Sequence, residues 1–137
     1  MLSGSFYASD LWWGADAVSA DRKFAREVLG IEPDGVASPR NDRARMIGSG
    51  GVFTPYEYRF RIESDADGYG VESSDALLPA GEGSFVAMRY ADGGAAAVAG
   101  VRGGKQLVLA FPFETSPSAG ARDRLMREVL RFLEPPK

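Results

Sequence analysis

The chain contains neither cysteine nor histidine in its 137 residues. Without cysteine it has no thiolate nucleophile, disulfide or thiolate metal site, and without histidine it has no imidazole base and no histidine-ligated metal. Most familiar hydrolase machinery is therefore excluded, and we expect no cofactor and no metal centre. The lack of cysteine does not fix the cellular compartment, because reducing and oxidising locations both tolerate it.

Concentrated positive charge and long apolar runs are also missing. The net charge is -3 and the basic residues are scattered, whereas nucleic-acid binding needs a concentrated cationic face. No run approaches the roughly 20 apolar residues that a membrane-spanning helix requires. We therefore expect no nucleic-acid partner and no membrane span. With 45% hydrophobic residues, the sequence predicts one globular domain over residues 1–137.

The last third of the chain predicts a β-hairpin followed by a helix. Ala95 to Val101 and Lys105 to Phe111 are two apolar strands joined through Gly103-Gly104. We expect the helix to begin after Ser116 as cap, with Pro117 at its first position. The apolar stripe expected on its core face is Leu125, Met126, Val129, Leu130 and Leu133.

Residues 19–30 predict an earlier helix. Ser19 can cap it, and Gly30 supplies the left-handed residue that stops it, with Ile31 packed behind. The residues expected on its apolar face are Phe24, Ala25, Val28 and Leu29.

Further strands are predicted at Ala44–Ile47, Tyr56–Ile62 and Phe85–Tyr90. Tyr56–Ile62 alternates apolar and polar residues, which is typical of a strand with one face on the core and one in water. Met1–Phe6 indicates the end of a buried strand that turns at Gly4. Because nothing before it supplies parallel neighbours, we expect an unpaired edge, and either a homo-oligomer or a missing N-terminal half.

Several short blocks of the chain carry a family resemblance. In order they are Leu2–Tyr7, Ser9–Leu11, Lys23–Ala25, Glu27–Gly30, Asp75–Pro79, Arg89-Tyr90, Ala96–Ala99, Leu109–Thr115, Arg124–Met126 and Phe132-Leu133. Together they resemble the C-terminal part of the class I glutamine-amidotransferase-like, flavodoxin-like domain of exported bacterial proteins labelled xanthan lyase. The resemblance implies an α/β fold: a mixed sheet with flanking helices that ends in a hairpin and a C-terminal helix. It also implies a fragment of a larger domain, and an exported or periplasmic location.

The resemblance also implies where an active site would lie. The cysteine turn Gly-x-Cys-x-Gly corresponds to Gly4–Ala8, with Phe6 in place of the nucleophile. The Phe-His-Pro-Glu segment after the hairpin corresponds to Phe111–Glu114, with Pro112 in place of the histidine and Glu114 retained. A carboxylate without an imidazole to orient cannot run acyl transfer, so we expect a chain without this activity.

Three residues remain as candidates for a relic site or ligand pocket: Ser5, Asp10 and Glu114. A serine nucleophile needs a base within hydrogen-bond reach, so we interpret Ser5 as satisfying backbone groups at the tight turn. Glu114 is either a retained pocket carboxylate or a cap of the following helix, whose N-terminus favours negative charge.

Four further residues are candidates for contact with a sugar or a partner: Trp12, Trp13, Arg89 and Tyr90. Exposed indoles stack on sugar rings and also seal subunit interfaces. Consecutive residues of a helix do not share a face, so we expect one tryptophan in the core and the other partly exposed. The arginines at 122, 124, 127 and 131 are interpreted as a solvated helix face.

With this resemblance, the sequence favours a non-catalytic accessory or interaction module derived from the amidotransferase-like domain of a polysaccharide-related exported protein. The polysaccharide or protein partner is what the resemblance implies. Two alternatives stay open. A polysaccharide lyase or hydrolase of the xanthan type would need a convergent cleft of tyrosine and arginine, for which Tyr56, Tyr58, Tyr90 and Arg89 are available. A carbohydrate-binding module would need a tryptophan of the 12–13 pair exposed in a groove.

Overall fold

The computed structural model describes residues 1–5, 7–35, 45–66, 68–71 and 73–135. The strands in this part of the chain are β1 (Leu2–Ser3), β2 (Ile31–Pro33), β3 (Arg45–Gly48), β4 (Glu57–Arg59), β5 (Leu77–Pro79), β6 (Ser84–Tyr90), β7 (Ala95–Gly100) and β8 (Gln106–Leu109). The α-helices are α1 (Tyr7–Trp13), α2 (Ser19–Phe24) and α3 (Ala119–Leu133). A π-helical turn, Ala25–Leu29, continues α2, and a 3-10 turn, Phe113–Thr115, precedes α3. None of these described helices is long and apolar enough to cross a bilayer.

The strands form one curled, mixed sheet in the order β1-β8-β7-β6-β3-β4. β1 runs parallel to β8, and the other neighbours in this order are antiparallel. β5 pairs with β2 and also with β7, outside that order. The mixed α/β architecture with a C-terminal helix is confirmed, whereas the flavodoxin-like assignment remains a prediction.

β7 is the centre of the sheet. All six of its residues are buried, and they are small: four alanines, one valine and one glycine. A strand buried on both faces needs a continuous apolar sequence rather than an alternating one. β7 forms the predicted hairpin with β8, in the register Ala97↔Leu109, and Gly103 and Gly104 both adopt positive φ in its turn.

The N-terminal strand differs from the prediction. β1 has two residues, and Leu2 is 38% exposed rather than buried. Its parallel neighbour is β8, and the amide of Gly4 donates to the carbonyl of Leu109 at 3.3 Å. The expectation that the chain supplies no parallel neighbour was therefore wrong: the C-terminal hairpin supplies it. Phe6 lies outside the described residues.

The helix predicted at residues 19–30 is present, with a different start and face. Val18 occupies the N-cap position and Ser19 is the first helical residue, so the cap assigned to Ser19 was wrong. Gly30 ends the helical segment at φ 68° with Ile31 buried behind it, as expected. Phe24 and Val28 are exposed, whereas Ala25 is buried and Leu29 is half-buried, so the face on the core is narrower than the expected set of four residues.

The strands in the middle of the chain are shorter than predicted. β3 falls close to the predicted Ala44–Ile47, although Ala44 itself lies outside the described residues. Of Tyr56–Ile62, only the three residues of β4 form a ladder. The alternation still holds at Tyr58 and Phe60, which are buried on the core side.

The start of α3 also differs. Its N-cap is Ser118, whose hydroxyl accepts a hydrogen bond from the amide of Ala121 at 3.1 Å. Ser116 and Pro117 precede the helix, because the 3-10 turn ends immediately before them. Leu125 and Val129 are buried as predicted, but Leu130 is 54% exposed. Leu130 was therefore wrongly assigned to the core stripe.

The burial of Leu125 and the exposure of Leu130 predict different losses in the free energy of unfolding when each is truncated to alanine. Leu125→Ala should lower the free energy of unfolding by about 2–5 kcal/mol, because it leaves a cavity in a closed core. Leu130→Ala should change it by less than about 0.5 kcal/mol, the size of a surface effect. Urea unfolding measures both. A larger loss for Leu130→Ala than for Leu125→Ala would contradict the observed orientation of α3.

Candidate functional site

The two segments that the resemblance assigns to an active site meet at one edge of the sheet. Because β1 and β8 are parallel, Ser5 lies beside the segment that follows β8. The amide of Asp75 donates to the carbonyl of Ser5 at 2.9 Å. The hydroxyl of Tyr90 donates to the carbonyl of Asp75 at 2.8 Å and lies 3.4 Å from that of Ala110. These contacts join the segment after β1, the segment before β5 and the segment after β8.

Ser9 and Asp75 form a serine–carboxylate pair at the same edge, which no local sequence signal predicts. The hydroxyl of Ser9 donates to one carboxylate oxygen of Asp75, and its amide donates to the other at 2.9 Å. Asp75 is buried, and it accepts these hydrogen bonds from the first turn of α1. A carboxylate near the N-terminus of a helix is stabilising. Asp10 lies exposed on the same helix. The two hydrogen bonds from Ser9 to Asp75 tie the first turn of α1 to the segment before β5.

Glu114 is exposed and belongs to the 3-10 turn, so it does not cap α3; Ser118 does. One carboxylate oxygen of Glu114 accepts a hydrogen bond from the hydroxyl of Tyr69 at 2.7 Å. This bond is the main cause that raises the pKa of Tyr69 to about 12. Arg61 and Arg122 line the same cleft of about 210 Å³. Both guanidinium groups are engaged elsewhere, with Asp65 and with the carbonyl of Ser116.

The four candidate sugar or partner contacts do not form one surface. Trp12 is half-buried, with the guanidinium of Arg26 4.8 Å from its ring centre, and Trp13 is 59% exposed. Both belong to α1, which packs against β2 and α2. Arg89 is exposed on β6, whereas Tyr90 is buried in the core with its hydroxyl bonded to backbone. Arg89 and Tyr90 therefore point to opposite faces of the sheet.

The larger concave site was not predicted from the sequence. It is a groove of about 490 Å³ between β4 and the start of α3, here called the β4–α3 groove. One wall is Tyr56–Arg59, and the other is Ser116–Ser118 with Gly120, Ala121 and Arg124. The guanidinium of Arg124 lies 3.8 Å from the ring centre of Tyr56 and donates to the hydroxyl of Thr54 at 3.2 Å. Arg124 is exposed, as expected for a solvated helix face, and it also lines this groove.

A buried carboxylate fixes the distance between the two walls. Glu128, 7% exposed on α3, accepts hydrogen bonds from the amide (2.7 Å) and hydroxyl (2.9 Å) of Thr54 and from the hydroxyl of Tyr58 (3.1 Å). Burial acts to raise the pKa of Glu128, but the bonds from Thr54 and Tyr58 outweigh it and the net shift is downward. Burial is the main cause that raises the pKa of Tyr58.

Glu57, in the β4 wall, is an ion-pair partner rather than an acid. Arg45 and Arg59 both donate to its carboxylate, at 2.8 Å and 2.7 Å, and these bonds lower the pKa of Glu57. The carboxylates at the groove thus stay ionised near neutral pH. The described residues contain no cluster of three or more potential metal-ligating side chains. The groove is chemically suited to binding, with an aromatic face, two arginines and backbone groups.

No protein-family model, curated protein or solved structure matches this chain.

The Tyr69–Glu114 contact predicts a measurable titration shift. Replacing Glu114 by glutamine should return the pKa of Tyr69 from about 12 towards its ordinary 10.0, because the phenol loses its hydrogen bond to a carboxylate and the nearby negative charge. Near-UV absorbance titration, with Tyr69→Phe as the subtraction control, measures this shift. The contact stabilises the folded chain fully below pH 10 and is lost as pH rises through about 12. An unchanged Tyr69 titration in Glu114→Gln would contradict it.

The Glu128 contacts predict a loss of stability at low pH. Glu128→Gln should lower the free energy of unfolding at neutral pH by about 1–3 kcal/mol, because buried donors lose a charged acceptor. Since the pKa of Glu128 is lowered on folding, its contribution is present above its ordinary 4.5 and is lost as pH falls through the folded value. Urea unfolding across this range should show a shallower acid dependence in Glu128→Gln. Glu82→Gln, at an exposed turn residue, is the matched control and should behave as the unmodified chain.

Proposed function

We propose that this chain is a non-catalytic interaction module. The observation that carries the proposal is that four carboxylates near the candidate sites already have structural partners. Glu57 is ionised and paired with arginine, and Glu128 is ionised and accepts from hydroxyl and amide donors. Asp75 accepts hydrogen bonds from Ser9 in α1, and Glu114 accepts one from the phenol of Tyr69. No histidine or cysteine exists to act as base or nucleophile. The β4–α3 groove offers groups that bind rather than transfer protons.

The origin of the module is also a proposal. Its support is the strand–turn–helix order of β1 and α1 and the retained Glu114 after the hairpin, at the edge where an amidotransferase-like site would lie. On this proposal the chain derives from the amidotransferase-like domain of an exported, polysaccharide-related protein, and Phe6 and Pro112 stand where catalysis would need cysteine and histidine.

A polysaccharide lyase is a second candidate, because the β4–α3 groove brings a tyrosine and arginines together. Tyr56 is exposed beside Arg124 and Arg59, the residue types that abstract a proton and neutralise a uronate carboxylate. Two observations favour binding instead. Tyr58, the other tyrosine of this wall, is buried with its hydroxyl bonded to Glu128. Burial also raises the pKa of Tyr58, which opposes formation of the phenolate that would abstract a proton.

Two activity assays on the purified chain test the proposal. Ammonia release from glutamine and formation of unsaturated uronates from xanthan, followed by ultraviolet absorbance, should both stay at the buffer rate. Tyr56→Phe and Arg124→Lys are the matched variants for the lyase candidate. Uronate formation that Tyr56→Phe abolishes would establish the lyase and disprove a non-catalytic module.

A further inference from the structure

The β4–α3 groove runs along the edge of a strand rather than over a face of the sheet. Tyr56, Glu57, Tyr58 and Arg59 are consecutive, and all four line it. Side chains of consecutive strand residues point to opposite faces, so four in a row can share one groove only if the groove follows the backbone edge. β4 is the last strand in the sheet order, with β3 as its partner on the other side.

The direction of the β4 backbone groups follows from the ladder. The amide of Gly48 donates to the carbonyl of Tyr56, so Tyr56, and with it Tyr58 two residues on, faces β3. In an antiparallel pair, the alternate residues direct their amide and carbonyl groups away from the partner strand. Glu57 and Arg59 therefore present these groups to the groove. Arg61, next in this outward series, donates its amide to the carbonyl of Thr115 at 2.8 Å.

No backbone hydrogen bond within the described part of the chain reaches the outward groups of Glu57 or Arg59. Unpaired strand-edge groups are a template for another extended chain. The Thr115–Arg61 hydrogen bond pairs the next outward amide along the chain. The unpaired part of the β4 edge therefore ends before Arg61.

On the α3 wall of the groove, Gly120 leaves space for an extended chain beside β4. Gly120 lies in the first turn of α3, where glycine costs helix stability relative to alanine. A Cβ built on Gly120 would meet nothing within 4 Å, so packing within the described chain does not require the glycine there. A glycine that lines a groove and meets no neighbour allows a ligand to approach the backbone closely.

The charges of the groove favour an acidic ligand. Its lining carries Arg59 and Arg124 against a single acid, Glu57, on a chain whose overall charge is -3. Glu57 is also neutralised by Arg45 from the neighbouring strand. The exposed ring of Tyr56 adds an apolar surface beside these charges.

We propose that the β4–α3 groove binds an extended acidic peptide segment, which adds to the sheet as a strand beside β4. This inference rests on the proposed function as an interaction module, and it names the partner's chemistry. Main-chain hydrogen bonds to Glu57 and Arg59 supply the alignment, and acidic side chains of the peptide pair with Arg59 and Arg124. The volume of about 490 Å³ suits a few extended residues rather than a second folded domain.

The test uses blocked hexapeptides that alternate valine with glutamate, and the same peptide with lysine. NMR titration of the full chain should show the glutamate peptide shifting the amide resonances of Glu57 and Arg59 and slowing their hydrogen exchange. The amide of Tyr58, already directed at β3, should keep its exchange rate. The lysine peptide should bind at least about tenfold more weakly, because it meets Arg59 and Arg124 with like charge.

Two N-methylated forms of the glutamate peptide, each blocking the amides of one strand edge, test the strand geometry. At least one of them should lose about tenfold or more in affinity, because strand addition uses the amides of one edge. Equal affinity of all three peptides would show side-chain binding without strand addition and would overturn the proposal.

A matched pair of variants tests the groove itself. Gly120→Leu should fill the groove and weaken the glutamate peptide by about tenfold or more while leaving thermal stability equal or higher. Ala119→Leu adds the same side chain at the neighbouring exposed residue, which does not line the groove, and should leave binding unchanged. Equal loss in both variants, or in neither, would contradict the assigned site.

Two further results would assign a different ligand to the β4–α3 groove. Light scattering that shows a dimer whose contacts include Glu57 and Arg59 would make a second copy of the chain the occupant. Xanthan oligosaccharides that shift these amides when no peptide does would make the ligand a carbohydrate. Either result overturns the peptide proposal and leaves the non-catalytic function standing, whereas turnover in the assays above would disprove that function whatever the peptides do.

Discussion

The burial of β7 on both faces is the constraint on which the rest of the structure depends. Its amide and carbonyl groups have no access to water, so neighbouring strands must satisfy them, and β6, β8 and β5 do. Its small side chains let larger residues such as Phe111 and Leu125 complete the core. From β7 the sheet extends through β8 to β1 on one side and through β6 and β3 to β4 on the other. The curled sheet also brings the chain after β4 back to the segment after β8, where the amide of Arg61 donates to the carbonyl of Thr115 at 2.8 Å.

The β4–α3 groove has its shape before any ligand arrives, because Glu128 joins its two walls. Three donors converge on this carboxylate from Thr54 and Tyr58, so α3 cannot move away from β4 without leaving a buried charge unpaired. Beneath this wall, Phe60 stacks on Phe111 with ring centres 5.6 Å apart. A binding site held in this way orders few groups on association, which reduces the entropic cost of binding.

The sequence predicted elements whose signals are local and missed contacts that depend on distant partners. The β7–β8 hairpin was predictable because its apolar runs and glycine turn are adjacent. The start of α3 was placed too early because Ser116 and Ser118 are equally good caps, and the 3-10 turn that decides between them depends on packing. Leu130 was assigned to the core and Glu128 was overlooked, since helical spacing cannot show that a carboxylate finds donors 70 and 74 residues away in the sequence. The groove depends on that contact, so it too was beyond prediction.

The parallel pairing of β1 with β8 has a consequence for the order in which the chain folds. Leu2 pairs with Val108, so this contact joins residues that are far apart in the sequence, whereas the β7–β8 hairpin closes a short turn. The entropy of closing so long a loop must be overcome before a two-residue strand returns any energy. The hairpin and α3 are therefore expected to form first and to provide the surface on which the N-terminal segment docks. In unfolding the same segment should detach early, exposing the edge of β8 while the remainder of the sheet is still intact.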